Sequence, residues 1–209
     1  GYYYPDSTIA GFSHTHLSGT GAGDLYDISY MPVTLPYREA EAPLGIHSKF
    51  RHSDEEASAG YYRVLLKDYN INVELTATER CGIQRYTFPK AQSAVFLNLK
   101  KAMNWDFTQD SHIEVVDSCT IQGYRFSDGW ARGQRVFFRT RFSKPFRSSE
   151  IDTTAIIQDG KTIGTAYVAR FNFDTTDGEE IVLCTALSGV SMELSLIHIS
   201  EPTRLALIS

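Results

Sequence analysis

Ile71-Asn-Val-Glu-Leu-Thr-Ala77 is the stretch of sequence that decides the fold. Its apolar residues alternate with polar ones, and residues 136–142 repeat the alternation with arginines between the apolar positions. Such alternation predicts a β-strand with one face on a core and the other toward solvent or a second layer. Other segments that predict strands are 60–66, 82–88, 93–99, 112–122, 152–158, 162–173 and 179–187.

Short polar turns separate these predicted strands. Lys67-Asp-Tyr-Asn70 links the predicted strands 60–66 and 71–77. Asp159-Gly160, which has apolar residues on both sides, predicts a β-hairpin. Only residues 89–104 could hold a short helical stretch. The spacing therefore predicts an all-β fold, a large antiparallel β-sandwich.

The composition excludes several classes of protein. The chain has 209 residues, of which 42% are hydrophobic, so it can bury a sizeable core and is not wholly disordered. A net charge of −5 without a basic stripe argues against a nucleic-acid partner. No run of 18 apolar residues occurs, so we expect no membrane span. The three cysteines have no zinc-site spacing and are predicted to be small buried hydrophobic residues.

The densest polar cluster is Gly11-Phe-Ser-His-Thr-His-Leu-Ser-Gly-Thr-Gly-Ala-Gly-Asp24. In an extended backbone His14 and His16 project to one face, with Phe12 and Ser18 in phase. Paired imidazoles and hydroxyls can hydrogen-bond sugar hydroxyls, and an aromatic ring can pack on the C–H face of the sugar. The cluster is therefore a candidate sugar site.

Other interpretations of this cluster stay open. The histidines could be a structural pair with satisfied hydrogen bonds. They could also begin a His-x-His metal site, for which Asp24 and Asp27 are the only nearby carboxylates. The glycines resemble a phosphate-binding loop, but no lysine follows in the Gly-Lys-Ser/Thr arrangement.

Several blocks of the sequence, in order along residues 1–193, resemble a known family. They are GYYYPDSTIAGFSHTHLSGTG (1–21), DLYDISYMP (24–32), FRHSDEEASAGYY (50–62), VELTATERCGIQRYTFP (73–89), FFRTRFSKPF (137–146) and VLCTALSGVSME (182–193). Together they resemble the N-terminal domain of glycoside hydrolase family 92, the calcium-dependent exo-α-mannosidases.

The resemblance implies a fold and a mechanism. The fold would be a β-supersandwich similar to galactose mutarotase, paired with a C-terminal (α/α)6 barrel, and the active site would lie between the two domains. An inverting hydrolysis needs a carboxylic acid for the leaving oxygen and a carboxylate that activates water. By resemblance these groups and the main ligands of a calcium ion belong to the barrel. No catalytic residue and no metal ligand is therefore expected in this chain, which is predicted to be inactive alone.

The resemblance also implies which residues meet the sugar. The loop that lines the mannose pocket would comprise Phe12, Ser13, His14, Thr15, His16, Ser18, Gly19 and Thr20. Among these we expect Phe12, His14 and His16 to face the sugar. Ala22 stands where members that cut α-1,2 links often have an aromatic residue, which argues against that preference. Trp130 is predicted to be a packed or half-buried loop residue.

The ends of the chain carry expectations of their own. Because residue 1 is glycine rather than methionine, and because the resemblance implies a barrel after Glu193, we expect residues 1–193 to be a sandwich truncated at both ends. Residues 194–209 resemble a translated sequencing adapter and are predicted to be a non-native tail. Family habit implies an exported, periplasmic or extracellular protein whose partners are a mannose-containing glycan and the missing barrel.

Two alternatives come from other classes of function. One is a stand-alone carbohydrate-binding β-sandwich module without catalysis. The other is a mutarotase-like epimerase, which would need a sugar-facing acid and base within this domain, and the sequence offers no such pair.

Overall fold

The computed structural model describes residues 4–16, 25–37, 45–100, 106–158 and 161–192, and only the backbone of His16 and of 154–165 within these ranges. The described residues form sixteen β-strands and one 3-10 helix, His52–Asp54. The strands are β1 Thr8–Ile9, β2 Thr15–His16, β3 Leu25–Asp27, β4 Ser29–Thr34, β5 Ser48–Lys49, β6 Glu55–Ser58, β7 Tyr61–Leu66, β8 Ile71–Ala77, β9 Cys81–Phe88, β10 Ala91–Asn98, β11 Phe107–Asp117, β12 Thr120–Asp128, β13 Gln134–Phe142, β14 Ser148–Gln158, β15 Lys161–Thr175 and β16 Glu179–Ser188.

Twelve of these strands belong to one sheet. Its order is β4-β10-β15-β11-β12-β13-β16-β9-β8-β7-β6, and β14 pairs with β15 outside this path. The strands pair antiparallel, except that β15 meets β11 at a single parallel pairing of Thr165 with Asp110. This weak junction divides the sheet into a layer of β4, β10, β15 and β14 and a larger layer that runs from β11 to β6.

The two layers pack face to face through aromatic side chains. The ring of Phe142 on β13 lies 5.4 Å from Phe171 and 5.8 Å from Phe173, both on β15. Tyr30 on β4 crosses the same interior, and its hydroxyl is 2.6 Å from Oγ1 of Thr140 on β13. The predicted all-β fold, a large antiparallel β-sandwich, is therefore confirmed.

The period-two pattern explains why these segments become strands. In β8, Ile71 and Val73 are completely buried in the core, whereas the intervening Asn72 is half-buried on the other face. The hairpin predicted at 159–160 is confirmed by the antiparallel pairing of Gln158 with Lys161, although residues 159–160 themselves lie outside the described ranges.

One local prediction was wrong. Residues 112–122 do not form one strand, because β11 ends at Asp117 and its carboxylate accepts a hydrogen bond from the Cys119 amide, 2.7 Å away, in the turn to β12. Within 89–104, where the sequence left room for a short helical stretch, Ala91–Asn98 form β10, which confirms the strand predicted at 93–99. This strand lies between β4 and β15, which supply backbone partners on both of its sides.

Trp130 is also misplaced by the prediction, because 77% of its surface is exposed. The Gly129 amide donates to the Ala131 carbonyl over 3.1 Å, and the Gly133 amide donates to the Asp128 carboxylate over 2.5 Å. These bonds close a tight turn between β12 and β13 with the tryptophan at its tip. Helices long and apolar enough to cross a membrane are absent from the described residues.

Candidate functional site

The segment that carries the predicted sugar residues lies against β3 and β4. Phe12 exchanges backbone hydrogen bonds of 2.8 and 3.1 Å with Tyr30, and β2 pairs with β3. Gly11 enters this segment with φ +143°, and a Cβ there would lie 2.4 Å from the Ser29 hydroxyl oxygen. Only glycine combines this backbone conformation with so close an approach.

His14 is held by three neighbours. Its amide donates to the Asp27 carbonyl over 3.0 Å, and its Nδ1–H donates to the Ile28 carbonyl over 2.8 Å. Its ring lies on Gly82 of β9, where a Cβ would come within 2.4 Å of the imidazole Cδ2. The glycine therefore makes room for the ring.

The protonation state of His14 follows from this enclosure. Burial lowers its pKa from 6.5 to about 4, and the hydrogen bond to the Ile28 carbonyl opposes the shift without cancelling it. The ring is therefore neutral at pH 7, with a proton on Nδ1 and a lone pair on Nε2. The amide nitrogen of Gln84 lies 3.4 Å from this Nε2, a long contact.

His14 and Ser13 line an open cleft of about 870 Å³. The other walls are the β8–β9 hairpin, from Leu75 to Gln84, and the end of β16, from Leu187 to Val190. The walls combine apolar side chains with a few polar groups, and Glu79 and Arg80 are exposed at the rim. Such a lining is typical of small-molecule sites.

The other predicted site residues have different environments in the structure. Phe12 is only 7% exposed and belongs to the hydrophobic core. The Thr15 hydroxyl donates to the Asp27 carboxylate. His16 is described by its backbone alone, in β2. Ser18, Gly19 and Thr20 lie outside the described residues, as does Ala22, so the sugar contacts of the whole set stay predictions.

A buried charge network lies behind this segment. Arg125 on β12 is completely buried, and its guanidinium donates to the carboxylates of Asp27 and Asp106. Burial raises the pKa of Asp106, and the hydrogen bond and positive charge of Arg125 partly offset this rise. The Ser127 hydroxyl donates to the second oxygen of Asp106 over 3.1 Å.

The backbone next to Asp27 is strained. Leu25, Tyr26 and Ile28 have φ values of +68°, +86° and +53°, in the left-handed region that side chains disfavour. Each such residue costs on the order of 1–3 kcal/mol and persists only where its surroundings fix it. The strain therefore lies in the segment whose carbonyls hold His14.

Sequence reasoning missed Gly82, Gln84 and Arg125. An isolated glycine within the strand pattern at 82–88 was a signal, because such a glycine often marks a close approach by other atoms. Arg125 is in phase with the buried Ile121 and Ser127, so period-two counting places an arginine on the inner face of the sheet. Gln84 is in phase with Tyr86 and Phe88, but its role depends on His14, 70 residues away.

The described residues do not fit a calcium site or another metal site. Within the described ranges, no three His, Cys, Asp or Glu side chains come together in a metal-binding group. Asp27, a carboxylate considered for a His-x-His site, instead accepts from Arg125 and Thr15. We therefore assign no chemical step to a metal in this part of the chain.

Comparison with known proteins gives a consistent result. Residues 1–188 match the model of the glycosyl hydrolase family 92 N-terminal domain. The chain is similar to the structure of the family GH92 α-mannosidase BT3965 from Bacteroides thetaiotaomicron in complex with mannoimidazole, with 30% identity and a TM-score of 0.85. The alignment covers 98% of this chain and 29% of that one.

A second relative shares the fold at lower identity. The family GH92 inverting mannosidase BT2199 from Bacteroides thetaiotaomicron is 23% identical, with a TM-score of 0.75 over 97% of this chain and 27% of that chain. The chain thus spans less than a third of the length of either relative. A comparison with curated proteins found no match.

Proposed function

Because the chain belongs to glycosyl hydrolase family 92, whose N-terminal domain it forms, we propose that it supplies one wall of the mannose pocket of an exo-acting, inverting α-mannosidase. Two structural relatives support the proposal. The similar BT3965 was solved with mannoimidazole, and BT2199 is named an inverting mannosidase. The substrate would be the terminal mannose of a glycan.

The observation that carries the proposal is the position of His14. Its neutral ring lines the cleft, and among the described residues its Nε2 lone pair has only the long 3.4 Å contact with Gln84. A sugar hydroxyl can replace so weak a contact and donate to Nε2, while the Gln84 amide donates to the sugar. Ser13 adds a further hydroxyl to the same wall.

The acid and base of hydrolysis would come from the rest of the enzyme. Of the buried carboxylates in the described residues, Glu74 is paired with Arg85, and Asp27 and Asp106 are paired with Arg125. None of the three is free to protonate a leaving group or to activate water. A calcium ion would likewise be bound mainly by the barrel, and the complete enzyme would be exported.

The proposal is tested by mannose binding to the 209-residue chain, followed through its amide NMR shifts. Mannose should perturb Ser13, His14 and residues 82–84, whereas glucose, which differs only at C2, should perturb them less. A half-pocket should bind weakly, in the millimolar range. The chain alone should not hydrolyse 4-nitrophenyl α-mannoside.

Two glycines of the cleft provide a matched pair of variants. Gly82→Ala places a methyl group against the His14 ring and should displace the ring and weaken mannose binding. In Gly189→Ala the new methyl group has only the Arg135 carbonyl within reach, 3.9 Å away, so binding should be retained. Equal effects of both variants, or hydrolysis by the chain alone, would contradict the proposal. Micromolar binding would favour the stand-alone carbohydrate-binding module.

A further inference from the structure

Arg125 is completely buried, and each part of its guanidinium has a partner. Nε donates to the Leu99 carbonyl over 3.2 Å and to the Thr108 hydroxyl over 2.9 Å. The two terminal nitrogens donate to Asp27 and to Asp106. A planar fork with these bonds has a single orientation, so it fixes the Asp27 carboxylate in place.

Asp27 transmits this placement to the segment 12–16. Its carboxylate accepts a hydrogen bond from the Thr15 hydroxyl, whose oxygen accepts from the Asp27 amide over 3.2 Å. Its carbonyl accepts from the His14 amide over 3.0 Å. A single residue, Asp27, therefore connects Arg125 with both His14 and Thr15.

The strained backbone makes such an anchor necessary. Tyr26 and Ile28, on either side of Asp27, both have left-handed conformations, and the Ile28 carbonyl accepts the Nδ1–H of His14. A chain released from this conformation relaxes toward negative φ, and relaxation would turn the carbonyls that hold the imidazole. The charge pair with Arg125 opposes that relaxation from within the protein.

We propose that Arg125 is a positioning residue for the sugar-contacting segment, acting on His14 through Asp27. The inference rests on the proposed function in one respect only, namely that His14 contacts mannose. A buried ion pair is often no more stabilising than apolar side chains of the same volume, so its contribution here is the geometry it imposes. Arg125 itself does not line the cleft.

The coupling is tested in the 209-residue chain by variants of Arg125. Arg125→Met removes the fork, and Arg125→Lys keeps the positive charge but cannot bond both carboxylates and Leu99 at once. Arg141→Met, on the exposed face of the adjacent β13, is the control. NMR follows the titration of the His14 ring and the hydrogen exchange of its amide.

In both Arg125 variants the titration midpoint of His14 should move from about 4 toward 6.5, because the ring leaves its enclosed position. Exchange at the His14 amide should become about tenfold faster. The amides of Val73 and Tyr86, in β8 and β9, should keep their exchange rates, and a purely structural role would instead accelerate exchange at all of these amides. Arg141→Met should change none of them.

If Arg125→Met does not fold, Arg125→Lys tests the coupling, because lysine keeps a positive charge beside the buried carboxylates. An unchanged His14 titration and exchange rate in Arg125→Lys would overturn the inference. Mannose affinity separates this failure from that of the proposed function. If wild type binds mannose, Arg125→Lys should bind it about tenfold more weakly. If wild type does not bind, the proposed function fails, and the titration alone decides the coupling.

Discussion

The segment around His14 contacts the regular strands β7, β8 and β9 at Gly82 of β9. The two regions nevertheless have opposite kinds of structure. Neighbouring regular strands pair without interruption over six residues each, from Tyr61 opposite Thr76 in β7 and β8 and from Asn72 opposite Thr87 in β8 and β9. By contrast, β2 and β3 have two and three residues, and their pairing is shifted between Thr15 and His16. Two of the three residues of β3, Leu25 and Tyr26, are left-handed, and so is Ile28, which follows it.

The difference shows what each region depends on. A regular strand is fixed by its alternation and by its nearest neighbours in the sheet, so local sequence is sufficient. The His14 segment is fixed by Arg125, 98 residues beyond Asp27, and by glycines that leave room for its side chains. The surrounding sandwich therefore determines the conformation of the segment that carries the site. Three predictions would break or sharpen this contrast.

The largest effect is expected from the sandwich core. Phe142 is 1% exposed and contacts aromatic rings of the opposite layer, so Phe142→Ala should lower the free energy of unfolding by about 3–5 kcal/mol. Phe137→Ala is the matched control, because Phe137 is half-buried on the outer face of the same strand. Its cost should be clearly smaller in urea denaturation. Equal costs would show that the interior between the layers is not the main source of stability.

An effect of about 3 kcal/mol is expected from the pH dependence of the site. The pKa of His14 is about 4 in the folded chain and 6.5 in the unfolded chain. Above pH 6.5 the ring is neutral in both states and makes no difference. Between pH 6.5 and 4 the unfolded chain binds the proton first, so stability falls as the pH falls.

His14→Gln should remove this part of the acid sensitivity. The measurement is the difference in unfolding free energy between wild type and variant across pH 4 to 7. Other groups cancel in that difference, including His52, whose pKa is raised chiefly by its hydrogen bond to Glu55. The variant should lose less stability than wild type on acidification. Parallel curves would show that the imidazole is not enclosed and that the site is as open as the turns of the sheet.

The sequence predicted the sandwich well because alternation is a local property. Ile71 and Val73 point to the core whatever else the chain does, and β8 and β9 follow from such residues. The errors occurred where a local signal was weak. The carboxylate of Asp117 ends β11 through a side-chain bond to the Cys119 amide, and alternation alone continues across that point.

The site was predictable only in part. The residue types around His14 and the family resemblance identified the segment, but the enclosure of its ring depends on Gly82 and Gln84 of a strand some 70 residues away. The inward direction of Arg125 was missed, although its phase with Ile121 would have predicted it. Its pairing with Asp27 could not be predicted, because a contact between β12 and β3, 98 residues apart, is decided by the assembled fold.

The smallest effect is expected at Tyr30, which lies between the segment around His14 and the opposite layer of the sandwich. Its hydroxyl reaches Thr140 in the other layer, and its ring lies 5.7 Å from that of His14. Tyr30→Phe removes only the hydroxyl, and Thr140 keeps a 2.8 Å contact with Thr185, so the loss should be about 1 kcal/mol. Tyr61→Phe, at a half-buried hydroxyl that donates to Glu74, should cost about half as much or less.

The informative result is the His14 titration measured in the same Tyr30→Phe protein. The aromatic ring remains, and so do the backbone bonds of Tyr30 to Phe12, so the environment of the imidazole should not change. The midpoint should therefore stay at about 4 while the unfolding free energy falls. A shift of that midpoint would mean that the contact between the layers also positions His14. The site would then depend on the whole interior of the sandwich, and not chiefly on the anchor at Asp27.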